Sequence, residues 1–206
     1  MIAIERSPER DAVIRAALPI AASRGWTEAT LRAATAAAGF EPALAASFFP
    51  RGAIGAIEAW SDLADREMEA AAAADPAFAA LGTSGRIRRL IALRLAAVAP
   101  HQAALRRALA RLALPWNAPV VARCTARTVD AMWYAAGDSS ADISWYTKRG
   151  SLAAIYAATL AFWLRDAEPD TEAALAFLDR RLADLARAGQ LRRRLATPLR
   201  DRAATG

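Results

Sequence analysis

The chain has 206 residues, is 55% hydrophobic, and carries a formal net charge of +6 with one cysteine and one histidine. That length supports one domain, or one domain and a small appendage, with a real core. The lone Cys124 excludes an internal disulfide and fits a reducing compartment, and with His101 it falls short of the four ligands of a structural zinc site.

Ala, Leu and Arg dominate, β-branched residues are sparse, and no run alternates as a strand would, so the predicted fold class is all-α. Residues 190–206 hold five arginines and one aspartate, which makes the basicity mainly a property of the tail. The N-terminus MIAIERSPERD is charged and lacks the apolar core of a secretory signal. The longest apolar run, SLAAIYAATLAFWL, is 14 residues, short of the roughly 20 that span a bilayer.

In chain order, the first helix is predicted from about Pro8 to Ser23. Ser7 is its N-cap, Pro8 its first residue and Gly25 its stop, with Ala12, Ile14, Leu18 and Ala22 facing inward and Pro19 as a site for a kink. Thr30 is read as the cap of a short helix over Leu31–Ala38, ended by Gly39. A third short helix runs to Phe48 and is closed by Pro50. A long helix then spans Gly52 to about Ala74, with Ile54, Ile57, Trp60, Leu63 and Met68 at helical spacing.

After Asp75-Pro76 and a short element, Ala77–Leu81, the GTSG loop leads through a cap at Ser84 to a helix over Arg86–Val98. Further helices are expected over His101–Leu114, Pro119–Ala136 and, capped by Asp142, through Leu164. The last main helix runs from Thr171 to about Ala188, where Gly189 opens a basic tail. This makes nine or ten helices in three parts: a head over 1–52, a body over 53–189 and a tail over 190–206.

The head resembles the N-terminal domain of TetR-type repressors through Ala29-Thr30-Leu31-Arg32, the turn Gly39-Phe40, and Phe48-Phe49-Pro50. DNA affinity rests largely on cations against phosphate, and base readout needs long polar side chains. The segment EPALAAS, Glu41–Ser47, offers an acid, small alanines and no Lys or Arg. Nucleic acid is therefore not expected as a partner, and the head reads as a packing module.

The strongest resemblance lies later, in TVDAMWYAAGDSSADISWYTKRGSLAAIYAATLAFWLRD, Thr128–Asp166, and AFLDRRLAD, Ala176–Asp184. These blocks are similar to the lipid-binding accessory family of ubiquinone biosynthesis, the ninth protein of the coenzyme Q series and its bacterial relatives. With the head, the likeness extends over roughly residues 8–186. It implies a TetR-like fold without DNA binding or catalysis, an isoprenoid quinone or phospholipid ligand in an apolar cavity, and a partner, the demethoxyubiquinone hydroxylase. It also implies membrane attachment through a C-terminal amphipathic helix, which places a bacterial member in the cytoplasm at the inner membrane. The competing reading is a TetR-type ligand-sensing regulator, and TetR-like folds often form homodimers through their last helices.

The candidate lipid-binding residues are Leu93, Val98, Met132, Trp133, Tyr156, Leu160 and Trp163, large or flexible groups on broad apolar faces. Periodicity alone favours these side chains as ordinary core, and the resemblance favours a ligand wall. Asp142, Trp145, Tyr146, Lys148 and Arg149 form the candidate partner interface, because Trp, Tyr and Arg are enriched at binding hot spots. The alternative is a helix-start cluster held by Asp142 or Asp138.

In the tail, Leu191, Arg192, Arg193, Arg194 and Leu195 are the candidate membrane contact, in a helix that Pro198 is expected to end. No catalytic residue, cofactor or metal is assigned. His101, read as exposed, has no nucleophile or orienting acid around it, the Glu-x-x-His pairs of a di-iron bundle are absent, and the acids mostly sit beside arginines as solvated ion pairs.

Overall fold

The computed structural model describes residues 5–137, 143–165 and 170–202. Side chains are described as far as residue 187, except those at 143–146 and 148. Among these residues there are nine α-helices, four short 3₁₀ turns and no strand. They divide into two compact units, Met1–Ser139 and Ser140–Gly206.

In the first unit, α1 spans Pro8–Arg24. The Ser7 hydroxyl accepts from the Arg10 N–H at 3.2 Å, satisfying one of the orphan donors of the first turn. Gly25, at φ 76°, ends the helix in a conformation that side chains disfavour. The buried stripe is Val13, Ile14, Ala17, Leu18 and Ala21, while Ala12 and Ala22 sit half-exposed at its flanks. Pro19 is accommodated within the continuous helix on its exposed side.

Helix α2 is Glu28–Ala37, three residues earlier than expected, because Thr27 is the cap. The Thr27 hydroxyl accepts from the Thr30 N–H at 3.1 Å. Thr30 is buried inside the helix, and its own hydroxyl donates to the Gly25 carbonyl at 2.7 Å. The third element is a 3₁₀ turn, Pro42–Leu44, running into a four-residue helix α3, Ala45–Phe48.

Helix α4, Gly52–Ala73, is buried almost all round. It packs on α1, α2, α5 (Thr83–Val98) and α7 (Ala118–Ala135). Ile57, Trp60, Leu63 and Met68 are core, and Ile54 is half-buried. Helix α5 starts after Gly82 without a side-chain cap, so the exposed Ser84 lies within its first turn. Helix α6, Gln102–Leu112, packs on α1. There Trp26 stacks on Trp60, with ring centroids 5.5 Å apart, and donates from Nε1 to the Ala104 carbonyl at 3.0 Å. Burial of two such rings contributes several kcal/mol, which makes the head continuous with the rest of the unit.

In the second unit, α8 is Ile143–Trp163 and α9 is Thr171–Arg202. The Asp170 carboxylate accepts from the N–H groups of Glu172 and Ala173, at 2.8 and 3.1 Å, and so caps α9. Phe162 and Phe177 stack between the two helices with centroids 4.7 Å apart. The Trp163 indole donates to the Thr171 hydroxyl at 3.2 Å. Helix α9 does not stop at Ala188. It runs on through Gly189, which costs a helix only about 1 kcal/mol, and through Pro198 as well, against the roughly 3 kcal/mol that a proline costs in a helix interior.

Candidate functional site

The candidate lipid-binding residues fall into both units. Leu93 and Val98 lie on α5, Met132 and Trp133 on α7, and α5 packs on α7. Tyr156, Leu160 and Trp163 lie on α8 of the second unit. Met132, Val98 and Trp163 are buried, and the Trp163 indole donates to the Thr171 hydroxyl. Leu93, Trp133 and Leu160 are half-buried, and Tyr156 is at the margin of burial. The half-exposed members are the ones with surface available to a ligand.

Helix α8 begins at Ile143, which puts Trp145, Tyr146, Lys148 and Arg149 in its first two turns. Arg149 is half-buried. Asp142 and the side chains of Trp145, Tyr146 and Lys148 lie outside the described residues. Leu191, Arg192, Arg193, Arg194 and Leu195 belong to the continuous α9, and their side chains also lie outside the described ones.

The segment of the head that would meet DNA in a repressor, Glu41–Phe48, carries mostly small side chains, one acid and no cation. Glu41, Ala43, Ala46 and Ser47 are exposed, and Leu44 is 40% exposed. The nearby Arg51 is taken up by Glu58. A cleft of about 290 Å³ opens here over Leu31, Pro42, Phe49 and Pro50, with Glu28 and Arg32 also on its wall.

Sequence reasoning missed a buried charged network on α4. Glu58, Asp62 and Asp65 are each less than 5% exposed and are core groups, not solvated pairs. Asp62 accepts from Arg6 at 2.7 and 3.0 Å and from Arg66 at 3.1 Å, with Arg127 at 3.6 Å. Asp65 accepts from Arg94 at 2.9 Å and from the Thr128 hydroxyl at 2.9 and 3.0 Å. Glu58 takes Arg51 and, at 3.3 Å, Arg123.

Burial works to raise the Asp62 carboxyl, but Arg6, Arg66 and Arg127 hold it below its ordinary value. Burial pushes Asp65 up, against the pull of Arg94 and Thr128. The network clamps α4 to α5, α7 and the segment before α1. The signal for it was present in the spacing: 58, 62 and 65 share one helix face, as do Arg123 and Arg127.

His101 is half-buried in a 3₁₀ turn rather than exposed, and burial lowers its pKa against the opposing pull of Glu67. In contrast, the ion pairs of Asp184 with Arg181 and Arg187 on α9, at 3.3 and 2.5 Å, form the solvated face expected there. Among the described residues no group of three or more His, Cys, Asp or Glu side chains is arranged to hold a metal. No helix of these residues is long and apolar enough to cross a membrane.

A three-helix head continuous with a helical body is the architecture of TetR-like proteins, and this chain has that fold. It superposes on a crystal structure titled as the TetR transcriptional regulator from Nitrosomonas europaea ATCC 19718. The TM-score is 0.68 at 28% identity, covering 87% of this chain and 99% of that one.

Residues 118–189 match the COQ9 family. The chain is 40% identical over 98 residues to the human ubiquinone biosynthesis protein COQ9, mitochondrial, which is 48% of this chain and 31% of that protein. It is 35% identical over 123 residues to the Xenopus laevis COQ9-B protein, covering 57% of this chain and 42% of the relative. Against the Schizosaccharomyces pombe coq9 protein it is 37% identical over 100 residues, 48% of this chain and 40% of the relative. The matched stretch thus spans less than half the length of each of these relatives.

Proposed function

We propose that this chain is a COQ9-type accessory protein of ubiquinone biosynthesis. It holds an isoprenoid quinone intermediate or a phospholipid and presents it to the demethoxyubiquinone hydroxylase at a membrane, without catalysing a reaction itself. The match of residues 118–189 to the COQ9 family carries this reading. That stretch contains the SWYTKRG segment and the apolar α8.

In this reading the candidate ligand contacts are Leu93, Val98, Met132 and Trp133 in the first unit and Tyr156, Leu160 and Trp163 in the second, each unit taken by itself. Trp145 and Tyr146, with Asp142, Lys148 and Arg149, dock the hydroxylase. The end of α9 attaches a bacterial protein peripherally to the inner membrane, and a homodimer fits the TetR-like fold. The α4 carboxylates support a non-catalytic role, since arginines already engage them.

Native mass spectrometry of the purified protein tests the ligand. An isoprenoid quinone or phospholipid is expected to co-purify. Leu93→Glu and Leu160→Glu should lower the lipid load at unchanged helicity. Equal load in both variants, or no lipid in the parent protein, removes the ligand site from these helices.

A regulator remains the second reading because of the likeness to the Nitrosomonas structure. The two separate at the head. An electrophoretic shift against genomic fragments at low salt is expected to be negative, since the four-residue α3 presents no cation to phosphate. A sequence-selective shift would favour the regulator.

A further inference from the structure

We propose that the turn between α6 and α7 is a second lipid-contacting surface, one that inserts Trp116 into the interface of an anionic membrane. It is independent of the α9 tail. It adds to the membrane attachment of the proposed function but uses different residues.

Three observations carry it. The first is exposure of apolar groups in one short stretch. Trp116 is 73% exposed, Leu114 40% and Val121 39%, and Ala113, Pro115, Ala118 and Pro119 are exposed with them. An indole held that far out of a folded surface has no packing function. It matches the amphipathic ring that favours the headgroup level of a bilayer.

The second is that the turn is built to hold this shape. Asn117 is the buried residue of the turn, and its side-chain amide donates to the Arg111 carbonyl at 2.9 Å. The Pro115–Asn117 3₁₀ turn is closed by hydrogen bonds at each side, and Pro119 stands in the first turn of α7. Trp116 is thus presented by a turn anchored through its neighbour, with little ordering left to do on binding.

The third is charge. Residues 76–129 contain nine arginines and no acidic residue. Several are used inside the fold, by Asp65, Glu58 and Asp75. Arg107 and Arg111, one turn apart on α6 and leading into the turn, are exposed and have no ion-pair partner among the described residues. Arg107 donates only to the Ala22 carbonyl, at 2.9 Å. An apolar tip beside uncompensated arginines complements an anionic lipid surface, where each basic residue adds about fivefold to binding.

An acidic protein partner fits less well. Three apolar side chains on a convex turn fall short of the roughly 800 Å² per partner of a specific protein interface, whereas a membrane needs no complementary shape.

The test uses the full chain with phosphatidylglycerol-containing and pure phosphatidylcholine vesicles. Bromine-labelled acyl chains in the anionic vesicles are expected to quench part of the tryptophan fluorescence of the parent protein. That quenched fraction should disappear in Trp116→Phe, which keeps the fold and the other five tryptophans. Trp116→Ser should weaken partitioning several-fold, and Arg107→Glu with Arg111→Glu more than tenfold, on anionic vesicles alone. Unchanged quenching in Trp116→Phe, or unchanged partitioning in both other variants, overturns the proposal even if the protein still binds vesicles through α9. Lipid co-purification reports on the ligand site separately, so the failure of one reading does not imply failure of the other.

Discussion

Asp62 and Asp65 sit one turn apart on α4, both buried, yet they have different partners and should differ in energetic weight. The arginines on Asp62 reach solvent: Arg6 is 58% exposed, Arg66 30% and Arg127 24%. They can be rehydrated when the carboxylate is removed, so Asp62→Ala should cost only about 2 kcal/mol. Arg94, which pairs with Asp65, is itself buried, and Asp65→Ala takes away the carboxylate that balances its charge, at a cost of about 3–5 kcal/mol. Chemical denaturation should rank Asp65→Ala well below Asp62→Ala in stability, and the reverse order would mean that the Arg94 charge does not depend on Asp65. The pH dependence has a defined sign for Asp62. Its folded carboxyl lies below the unfolded value of 3.8, so its contribution is present above that pH and fades as pH falls through the folded value. The gap between the parent protein and Asp62→Ala should therefore narrow on acidification from pH 5 to about pH 2; a constant gap would show that the charge does not carry it.

At the level of elements, caps distinguish the helices whose starts are secured by side chains from those held by packing. Thr27→Ala removes the acceptor for the Thr30 N–H and the neighbour of the Thr30 hydroxyl, and should cost about 1 kcal/mol. Ser84→Ala should stay within about 0.5 kcal/mol, since α5 begins at Thr83 without a side-chain cap. Paired thermal melts check both, and equal losses would restore Ser84 as a cap. The last helix behaves differently from its sequence punctuation. At 32 residues, α9 is roughly 48 Å long, and its backbone carries Leu191, Leu195 and Leu199 at one-turn spacing. A single leucine stripe buries little area, so electrostatics must supply much of any membrane binding by this end.

For the whole molecule, the proposed role requires a ligand, a partner and a surface. Trp145→Ala or Tyr146→Ala should weaken hydroxylase capture by about 30-fold while lipid content stays the same, as expected for an aromatic hot spot of about 2 kcal/mol. Capture indifferent to both would leave the cluster as a helix start. Deleting residues 190–206 should reduce flotation with anionic liposomes, most at low salt, and leave neutral liposomes unaffected. Equal flotation of the shortened chain would rule out the tail as an anchor, whereas partial retention is the share expected of the α6–α7 turn.

Local rules were enough for the all-α class, the helix at Ser7-Pro8, the stop at Gly25 and most of the α4 stripe, because capping chemistry and helical periodicity act within a few residues. The blocks around Thr128–Asp166 were enough to recognise the likeness to COQ9. Other features depended on residues far apart in the chain. The cap of α2 is a local exception: the Thr30 hydroxyl donates to the Gly25 carbonyl five residues back, and the Thr27 hydroxyl takes the Thr30 N–H as the cap. Glu58, Asp62 and Asp65 read as a solvated face until α5, α7 and the N-terminal segment supply arginines from up to 65 positions away. Which of the candidate apolar residues fill the core, and that Trp116 does not, is set by how helices stack, since hydrophobicity states a preference for burial and only packing decides which side chains find a neighbour.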